Sequence, residues 1–295
     1  MVDLLASAAI APPSRWRSAL GRGGSRFWLG GALVGMLFLA ALLAPLLAPH
    51  DPIEQDLMSA QLPPAWMQGG EKAYLLGTDS LGRCVLSRLI FAARTAVAVA
   101  LIAAVLAAAI GIALGLIGGS FGGWIDQGVS RLIDVWMAFP PVLLSIVLAA
   151  VIGAGLTSVI AAIVVVDWTR FARVVRAETM VQLQRDYAAA ARVLGLTRGQ
   201  ILRLEILPNL VPLLVTLFAV EMGIAILVEV ILSFVGISVA GDTATWGSMI
   251  AEGRQIVYQA PWIMALPIGC IIASVIGLNL LGDGLRLALD PVQRS

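Results

Sequence analysis

Long uncharged apolar runs recur along this chain, and they limit its possible folds more than any other feature. A helix needs about 20 apolar residues to cross the roughly 30 Å hydrocarbon core of a bilayer. Runs of that length cover residues 27–48 and 95–125, and others follow. Charged residues make up only 13% of the chain, against about 25% in an average soluble domain. The sequence therefore predicts an all-α membrane protein and excludes a soluble enzyme, a secreted disulfide scaffold and a nucleic-acid-binding domain.

The apolar runs predict six transmembrane helices. The run over 135–166 is too long for one helix, and the glycines at 153 and 155 are expected to divide it by a tight turn. The remaining spans are predicted at 27–48, 95–125, 210–235 and 261–281. The first run is longer than the roughly 7–15 apolar residues of a secretory signal, so we interpret it as an uncleaved anchor.

The positive charges are distributed unevenly about these spans. Of the 19 Lys and Arg residues, fourteen fall on the side that holds both termini and five on the other. Cytoplasmic loops are enriched in Lys and Arg. The distribution therefore predicts that both termini are cytoplasmic and that residues 50–92 and 236–260 face outward.

The rare residue types exclude several kinds of site. Lys72 is the only lysine, and no phosphate-binding G-x-x-x-x-G-K-[ST] loop surrounds it. One histidine, His50, with the distant Cys84 and Cys270, is too few for a zinc site, and a disulfide is not expected. Residues 118–122 fit G-x-S-x-G, but a nucleophile elbow needs a preceding strand and a histidine base. We interpret them as a glycine-rich turn at a membrane face.

Glycines at helical spacing also predict helix contacts. Such small-xxx-small faces allow helix backbones to approach closely in lipid. They occur at Gly31 and Gly35, and at Gly111, Gly115 and Gly119.

The segment 170–209, on the Arg-rich side, is the most informative about function. Residues 188–194 are strongly helix-forming, and Gly195 is expected to stop that helix because glycine readily takes a positive φ. A second short helix is expected over 198–206, with Pro208 at its end. The sequence thus predicts two short helices that meet at a glycine turn beneath the membrane.

This segment resembles the EAA loop of ABC-importer permeases, in which E-A-A, three residues, Gly and nine residues precede I-x-L-P. Ala190 and Ala191 match the two alanines, Gly195 matches the glycine, and Leu207 and Pro208 match the final pair. The resemblance implies a type I ABC-importer permease bundle. It also implies that the helix–turn–helix, at about 188–199, is a coupling helix that fits a groove on a cytoplasmic ATPase.

The loop departs from the family pattern at two positions. Ala189 occupies the acidic position, with Asp186 three residues upstream, and Glu205 occupies the isoleucine position. An alternative interpretation is a basic loop that only anchors topology. That role would explain the arginines but does not require the spacing from Gly195 to Pro208.

Three more segments resemble the C-type permease of dipeptide, oligopeptide and nickel importers. Two of them face outward in the predicted topology and one is C-terminal; they are 76–83 with 87–88, 246–255, and 279–286 with 289–291. One position departs from that subfamily, because Cys84 follows Arg83 where an aspartate is usual.

Acidic residues inside a predicted span are functional candidates, because a carboxylate in the bilayer is costly. Glu221 and Glu229 lie eight residues apart in the fifth span and share roughly one helix face, so they are candidates for the translocation path. The alternative is that they pair with polar groups of a partner subunit or lie near a wet cavity without touching cargo. Two ion pairs at helical spacing are also predicted, Asp167 with Arg170 and Asp79 with Arg83.

These resemblances imply a non-catalytic permease subunit of an ATP-driven importer, which moves peptides across the bacterial inner membrane by alternating access. The chain itself would bind no cofactor, since partner subunits would hold ATP and Mg. The implied partners are a second homologous permease, two cytoplasmic ABC ATPases, an external substrate-binding protein and membrane lipid, with no nucleic acid.

The domain organisation that we predict has three parts. Residues 1–92 hold the cytoplasmic N-terminus, first span and outward segment, 93–284 the permease core, and 285–295 the cytoplasmic tail.

Alternatives in cargo and in transport class stay open. Nickel, a metal chelate or glutathione could replace peptide, because the binding protein would largely set the cargo. A stand-alone secondary transporter is a second alternative, although such proteins tend to show internal repeats and none is found between the halves. A non-transporting scaffold would leave the outward segments and the loop spacing unexplained.

Overall fold

The computed structural model describes residues 24–238 and 243–289, which form a bundle of helices. A single β-bridge, Thr78 with Cys84, accompanies them in this part of the chain. The helices are α1 (Gly24–Leu42), α2 (Ala44–Leu47), α3 (Val85–Phe121), α4 (Gly123–Met137), α5 (Pro141–Ile152), α6 (Leu156–Gln182), α7 (Asp186–Val193), α8 (Arg198–Ile201), α9 (Leu207–Phe234), α10 (Trp246–Gln255) and α11 (Trp262–Leu289). Some residues used in the sequence analysis lie outside the described residues. They are the arginines at 15, 17, 22 and 294, which were predicted to be cytoplasmic, and residues 290–291 of the C-terminal motif.

Four stretches of the described chain are long and apolar enough to cross a membrane: α1, α3, the continuous stretch Arg198–Phe234 and α11. The pair α4–α5 would make a fifth span, although it is bent by 84°. The remaining predicted span, the fourth along the chain, corresponds to α6, whose apolar first half continues into Asp167, Arg170 and Arg173. The all-α membrane fold is therefore confirmed, whereas the count of six spans stays a prediction.

The span predicted from residue 135 to the glycine turn is not one helix. The chain bends between α4 and α5 at Pro140 and Pro141, and Pro141 is the first residue of α5. A proline lacks an N–H and disfavours helical geometry in the residue before it, so consecutive prolines separate the two helices. At 12 residues, α5 is shorter than the roughly 20 residues that a perpendicular span needs.

The prediction that Pro208 ends a helix is wrong. After α8 the chain passes through a π-helical turn, Leu202–Ile206, and continues directly into α9. Pro208 lies in the first turn of α9. A proline is tolerated there because the early N–H groups of a helix lack regular partners, and a π turn changes the hydrogen-bond register just before it.

The contact between α3 and α6 confirms the predicted close approach at one glycine face. A Cβ at Gly115 would lie 2.8 Å from Val175 Cβ, and one at Gly119 would lie 2.7 Å from the Arg176 carbonyl oxygen. Gly111 faces Phe171 just as closely. Side chains at these glycines would force the two helices apart.

The glycine face predicted on α1 does not make such a contact. Within the described part of the chain, no atom lies within 4 Å of a Cβ built at Gly31 or Gly35. Instead Gly30 meets the backbone of α11, and a Cβ at Gly277 of α11 would lie 2.8 Å from Leu33 Cβ. The interface therefore lies one position away from the predicted pair.

Two ion pairs attach α4 to the second half of α6. Arg176 donates from Nε and Nη2 to the two carboxylate oxygens of Asp126, at 2.5 and 2.9 Å, and Arg173 contacts Asp134 at 3.1 Å. The opposite face of α4 is apolar and exposed, and Trp124 is 90% exposed. This amphipathic helix follows immediately after the end of α3.

Candidate coupling element and buried charge clusters

The predicted helix–turn–helix is present, and we call residues 186–206 the coupling element. Its first helix, α7, ends at Gly195, whose φ is +82°. The Gly195 and Leu196 N–H groups donate to the Arg192 and Ala191 carbonyls, at 3.0 and 3.1 Å. This is the Schellman arrangement that closes a helix at a glycine in left-handed conformation. The prediction that Gly195 stops the helix is therefore confirmed.

A feature that the sequence analysis missed begins the second helix of the coupling element. Gln200 donates its backbone N–H to Thr197 Oγ1 at 3.4 Å, and Thr197 donates its own N–H to Gln200 Oε1 at 2.8 Å. This reciprocal capping box satisfies free donors at a helix start. The T-x-x-Q spacing was a sufficient signal for it. Both helices at the turn are thus closed by hydrogen bonds, which makes the turn rigid.

The coupling element has a buried face and an exposed apolar edge. Ala188 and Ala191 are buried and pack in a cluster with Val175, Ile201, Ile206 and Leu210. Val193 and Leu194 are 88% and 78% exposed. An exposed pair of large apolar residues at a helix end is typical of a surface that another protein covers.

The structure separates the residues that the motif had grouped together. Ala191 lies in the buried cluster, whereas Ala190 is exposed. Leu207 is half-buried at the start of α9. Asp186, Gly195 and Pro208 are exposed. The motif alanines therefore divide between the bundle and the surface.

Side chains also hold α7 against the end of α6. The Tyr187 hydroxyl donates to Gln182 Oε1 at 2.5 Å, and Arg192 Nη2 donates to the Leu183 carbonyl at 2.9 Å. Burial raises the pKa of Tyr187, so its hydroxyl stays protonated and remains a donor. These contacts join α7 directly to the bundle.

The two outward motif segments meet in a cluster of four charges, which we call the outer charge cluster: Asp79, Arg83 and Arg88, which are buried, and Glu252, whose side chain is 31% exposed. Arg83 Nε donates to Asp79 Oδ2 at 2.7 Å, which confirms the predicted pair. Glu252 Oε2 accepts from both arginines, at 2.8 and 2.6 Å, and Arg88 also contacts Asp79. The cluster joins the outward segment and the first turn of α3 to α10.

The outer charge cluster forms without an acid at position 84. Cys84 is 1% exposed and precedes α3 without capping it through its side chain. Asp79 instead accepts hydrogen bonds from the N–H groups of Leu81 and Arg83, at 2.9 and 3.0 Å. The departure from the subfamily pattern therefore leaves the ion pairs around it intact.

Glu221 is paired within this chain. Arg170 Nη1 lies 3.1 Å from both Glu221 oxygens and 3.6 Å from Asp167 Oδ1, so the predicted Asp167–Arg170 pair is confirmed and shared with a second acid. Both carboxylates are buried. This inner charge triad joins α6 to α9.

Glu229 lies in a different environment from Glu221. It is buried, its Oε1 accepts from Ser233 Oγ at 2.5 Å, and its Oε2 has no hydrogen-bond partner among the described residues. Eight residues of helix separate the two glutamates by about 12 Å along the axis. The structure thus does not bring them into one cluster, and their place in a translocation path stays a prediction.

Metal-ligating side chains do not gather in the part of the chain that the structure describes. No group of three His, Cys, Asp or Glu suited to a metal ion occurs among residues 24–238 and 243–289.

Two known protein families match most of the chain. Residues 111–295 match the binding-protein-dependent transport system inner membrane component, and residues 25–64 match the N-terminal transmembrane domain of oligopeptide transport permease C. Together the matched ranges include the coupling element and α1.

Several curated proteins are similar to this chain over nearly its full length. It is 39% identical to the di/tripeptide transport system permease protein DppC of Pseudomonas aeruginosa, over 88% of each chain. It is 40% identical to the dipeptide transport system permease protein DppC of Haemophilus influenzae, over 88% of this chain and 90% of the relative. The Escherichia coli K12 protein of that name is also 40% identical, over 88% of this chain and 89% of the relative.

The fold resembles a permease of known structure. An inward-facing conformation of the MetNI methionine ABC transporter matches with a TM-score of 0.59 and 19% identity, over 69% of this chain and 96% of the matched chain. A second crystal form gives a TM-score of 0.58. With the family match and the 39–40% identities, these findings show that the chain belongs to the family of binding-protein-dependent transport system inner membrane permeases.

Proposed function

We propose that this chain is the C-type permease subunit of an ABC importer that carries di- or oligopeptides across a bacterial inner membrane. Its partners are a second, homologous permease, two cytoplasmic ATPases that bind ATP and Mg, and an external binding protein. Both termini face the cytoplasm, and the chain carries out no catalysis. Cargo crosses between the two permeases as they alternate between inward-open and outward-open states.

The observation that carries this proposal is the coupling element. A movement of an ATPase can reach the bundle only through a rigid contact, and the element is closed at Gly195 and at Thr197 by hydrogen bonds. Its inner alanines pack on the bundle, so the element moves together with α6 and α9. The exposed Val193 and Leu194 supply an apolar edge for the ATPase groove.

Peptide is proposed as the cargo because the similar curated proteins carry dipeptide and di/tripeptide names. The outward motif segments, which resemble the peptide-permease subfamily, support the same assignment. The outer charge cluster joins them into one outer surface. In the importer, this folded outer surface would face the binding protein.

Uptake in a deletion strain tests the cargo. A strain lacking this gene is supplied with the wild-type chain, or with the Gly195→Val chain as a transport-defective control of equal abundance. Labelled dipeptide, labelled nickel and labelled glutathione are then offered separately. We expect only dipeptide uptake to depend on the wild-type chain. Restoration of nickel or glutathione uptake instead would contradict the peptide assignment.

Purification in mild detergent tests the assembly. A tagged wild-type chain should retain an ABC ATPase and a second permease in a fixed ratio. Purified chain that transports cargo in vesicles without an ATPase would contradict the proposal and support a secondary transporter.

A further inference from the structure

A small cavity lies where the ends of α3 and α6 meet the coupling element. Its volume is about 360 Å³. Ser120, Leu183 and Leu196 form part of its wall, together with Arg192 from the last turn of α7 and Arg198 from the first turn of α8. Neither the coupling motif nor the buried charge clusters account for it.

The cavity carries two positive charges and no negative one. No acidic side chain lines it, and neither Arg192 nor Arg198 forms an ion pair within the described residues. Arg192 uses one of its donors on the Leu183 carbonyl at 2.9 Å, which fixes the side chain and leaves further N–H groups free. Two guanidinium groups beside one cavity, of which Arg192 is fixed by this hydrogen bond, favour binding of a planar or tetrahedral oxyanion.

The helix geometry places the exposed side chain of Arg192 on the bundle side of α7. Arg192 follows the fully buried Ala188 by four residues, so the two share one face of α7. Val193, by contrast, is 88% exposed and points away from that face. The cavity arginine is therefore on the membrane side of the coupling element and not on its exposed apolar edge.

The position along the bundle matches the level of lipid headgroups. Ser120 lies one residue before the end of the apolar helix α3, and Trp124, just after it, is 90% exposed. Exposed tryptophans in membrane proteins concentrate at the level of the headgroups. The other side of the cavity is apolar, with Ile201 and Leu202 in its wall. An amphipathic ligand with an anionic group would satisfy both sides.

We propose that Arg192 and Arg198 bind a phosphate group in this cavity and so hold the coupling element against the inner surface of the membrane. The two possible sources of that chemistry are the headgroup of an anionic phospholipid and free phosphate. The apolar wall and the headgroup level favour the phospholipid. The proposal depends on the proposed function only for the orientation of the chain, which places the cavity at the cytoplasmic leaflet, where anionic lipids attract Lys and Arg.

The test measures binding by the purified importer complex. Its thermal midpoint is recorded in nanodiscs of phosphatidylcholine alone, in nanodiscs with added phosphatidylglycerol, and in phosphatidylcholine with millimolar inorganic phosphate. The variants are Arg192→Gln with Arg198→Gln and, as a matched control, Arg203→Gln, whose exposed arginine lies outside the cavity wall. We expect phosphatidylglycerol to raise the midpoint for the wild type and the control. The double variant should lose most of this rise in midpoint, as expected if it binds phosphatidylglycerol about tenfold more weakly.

Each result has a defined meaning. Equal stabilisation of the double variant and the control would overturn the proposal. Stabilisation by inorganic phosphate alone, lost in the double variant, would support the site and assign it to free phosphate. Loss of the ATPase from the double variant, with unchanged lipid binding, would overturn it and show that the arginines face the ATPase.

A charge-retaining double variant is the control for misfolding. Arg192→Lys with Arg198→Lys should keep most of the phosphatidylglycerol effect, because the charges remain. Membrane abundance and a single size-exclusion peak are checked first for every variant. Peptide uptake by the wild type is measured separately, so failure of the transport proposal is distinguishable from failure of the lipid proposal.

Discussion

Gly195 shows how the backbone conformation of one residue shapes the coupling element. Its φ of +82° is strained for other residues, yet no atom lies within 4 Å of a Cβ built there. Any effect of substitution must therefore come from backbone conformation and not from crowding. A residue with a branched Cβ would lose about 1–3 kcal/mol in that conformation.

Replacement of Gly195 should uncouple the importer without preventing insertion. We expect Gly195→Val to abolish most peptide uptake at normal membrane abundance, because valine strongly disfavours the left-handed conformation that the Schellman turn needs. Gly195→Asn is the matched control and should retain much more uptake, since asparagine tolerates a left-handed conformation. Uptake and abundance are measured in the same cells. Normal transport by the valine variant would refute a coupling role for the turn.

The two buried glutamates should respond differently to neutralisation. Glu221→Gln removes one of the two carboxylates that contact Arg170 and should cost about 1–3 kcal/mol of stability. The thermal midpoint of the purified complex should therefore fall. Glu229→Gln should leave stability unchanged or raise it, because Glu229 Oε2 finds no partner in the described part of the chain and a buried unpaired charge is costly. Each variant controls for the other in detergent. A drop in midpoint for Glu229→Gln as large as for Glu221→Gln would contradict these environments.

At the scale of elements, the outer charge cluster holds the outward segment on α10. Cys84 lies beneath it and is 1% exposed, so this thiol reports opening of the segment. Glu252→Gln removes the charge of one of the two acids that both arginines contact, and leaves Asp79 in place. Labelling of Cys84 by a membrane-impermeant maleimide should then speed up about tenfold, equivalent to about 1.4 kcal/mol. Glu71→Gln, an exposed acid of the same segment, should leave the labelling rate unchanged.

The exposed edge of α7 should decide ATPase binding. Val193→Glu with Leu194→Glu places charge on a surface that must lose water when it is covered, and should sharply reduce the amount of co-purified ATPase. Val193→Leu keeps the edge apolar and should retain the ATPase. Because both side chains are exposed, folding of the chain should not change. Equal ATPase recovery from the charged and the apolar variants would count against this edge as the docking surface.

Sequence spacing identified contacts that are local and missed those that depend on the tertiary fold. Asp79 and Arg83 are four residues apart, so their pair follows from local geometry. Glu252 is 169 residues from Arg83, and nothing in a single sequence indicates that they meet. The continuation of α8 into α9 was missed because a proline usually marks a helix boundary. The sequence alone did not indicate the π turn that precedes Pro208.

At the scale of the whole molecule, the apolar runs predicted the membrane bundle because each span follows from its own composition. They did not predict the 84° bend of α4–α5, which depends on where the prolines fall relative to neighbouring helices. The glycine face on α3 was predicted correctly, whereas on α1 the contact uses Gly30 and not Gly31. Helical periodicity identifies a face of small residues but does not indicate which neighbouring helix packs against it.

The orientation of the whole chain can be tested with two cysteines. In a background with Cys84→Ala and Cys270→Ala, Tyr258→Cys replaces a fully exposed residue between α10 and α11, and Leu194→Cys replaces one on the coupling element. An impermeant thiol reagent should label position 258 in intact spheroplasts and position 194 only after permeabilisation. The reverse pattern would contradict cytoplasmic termini.

The length of α3 links the two ends of the molecule. Its 37 residues form a rod of about 55 Å, well beyond the thickness of the hydrocarbon layer. Its first turn lies in the outer charge cluster, and its last turn borders the cavity beside the coupling element. A tilt of about 5° about one end would shift the other by roughly 5 Å, given that length. Such a rotation of α3 would transmit a displacement between a binding protein at the outer surface and an ATPase at the inner surface.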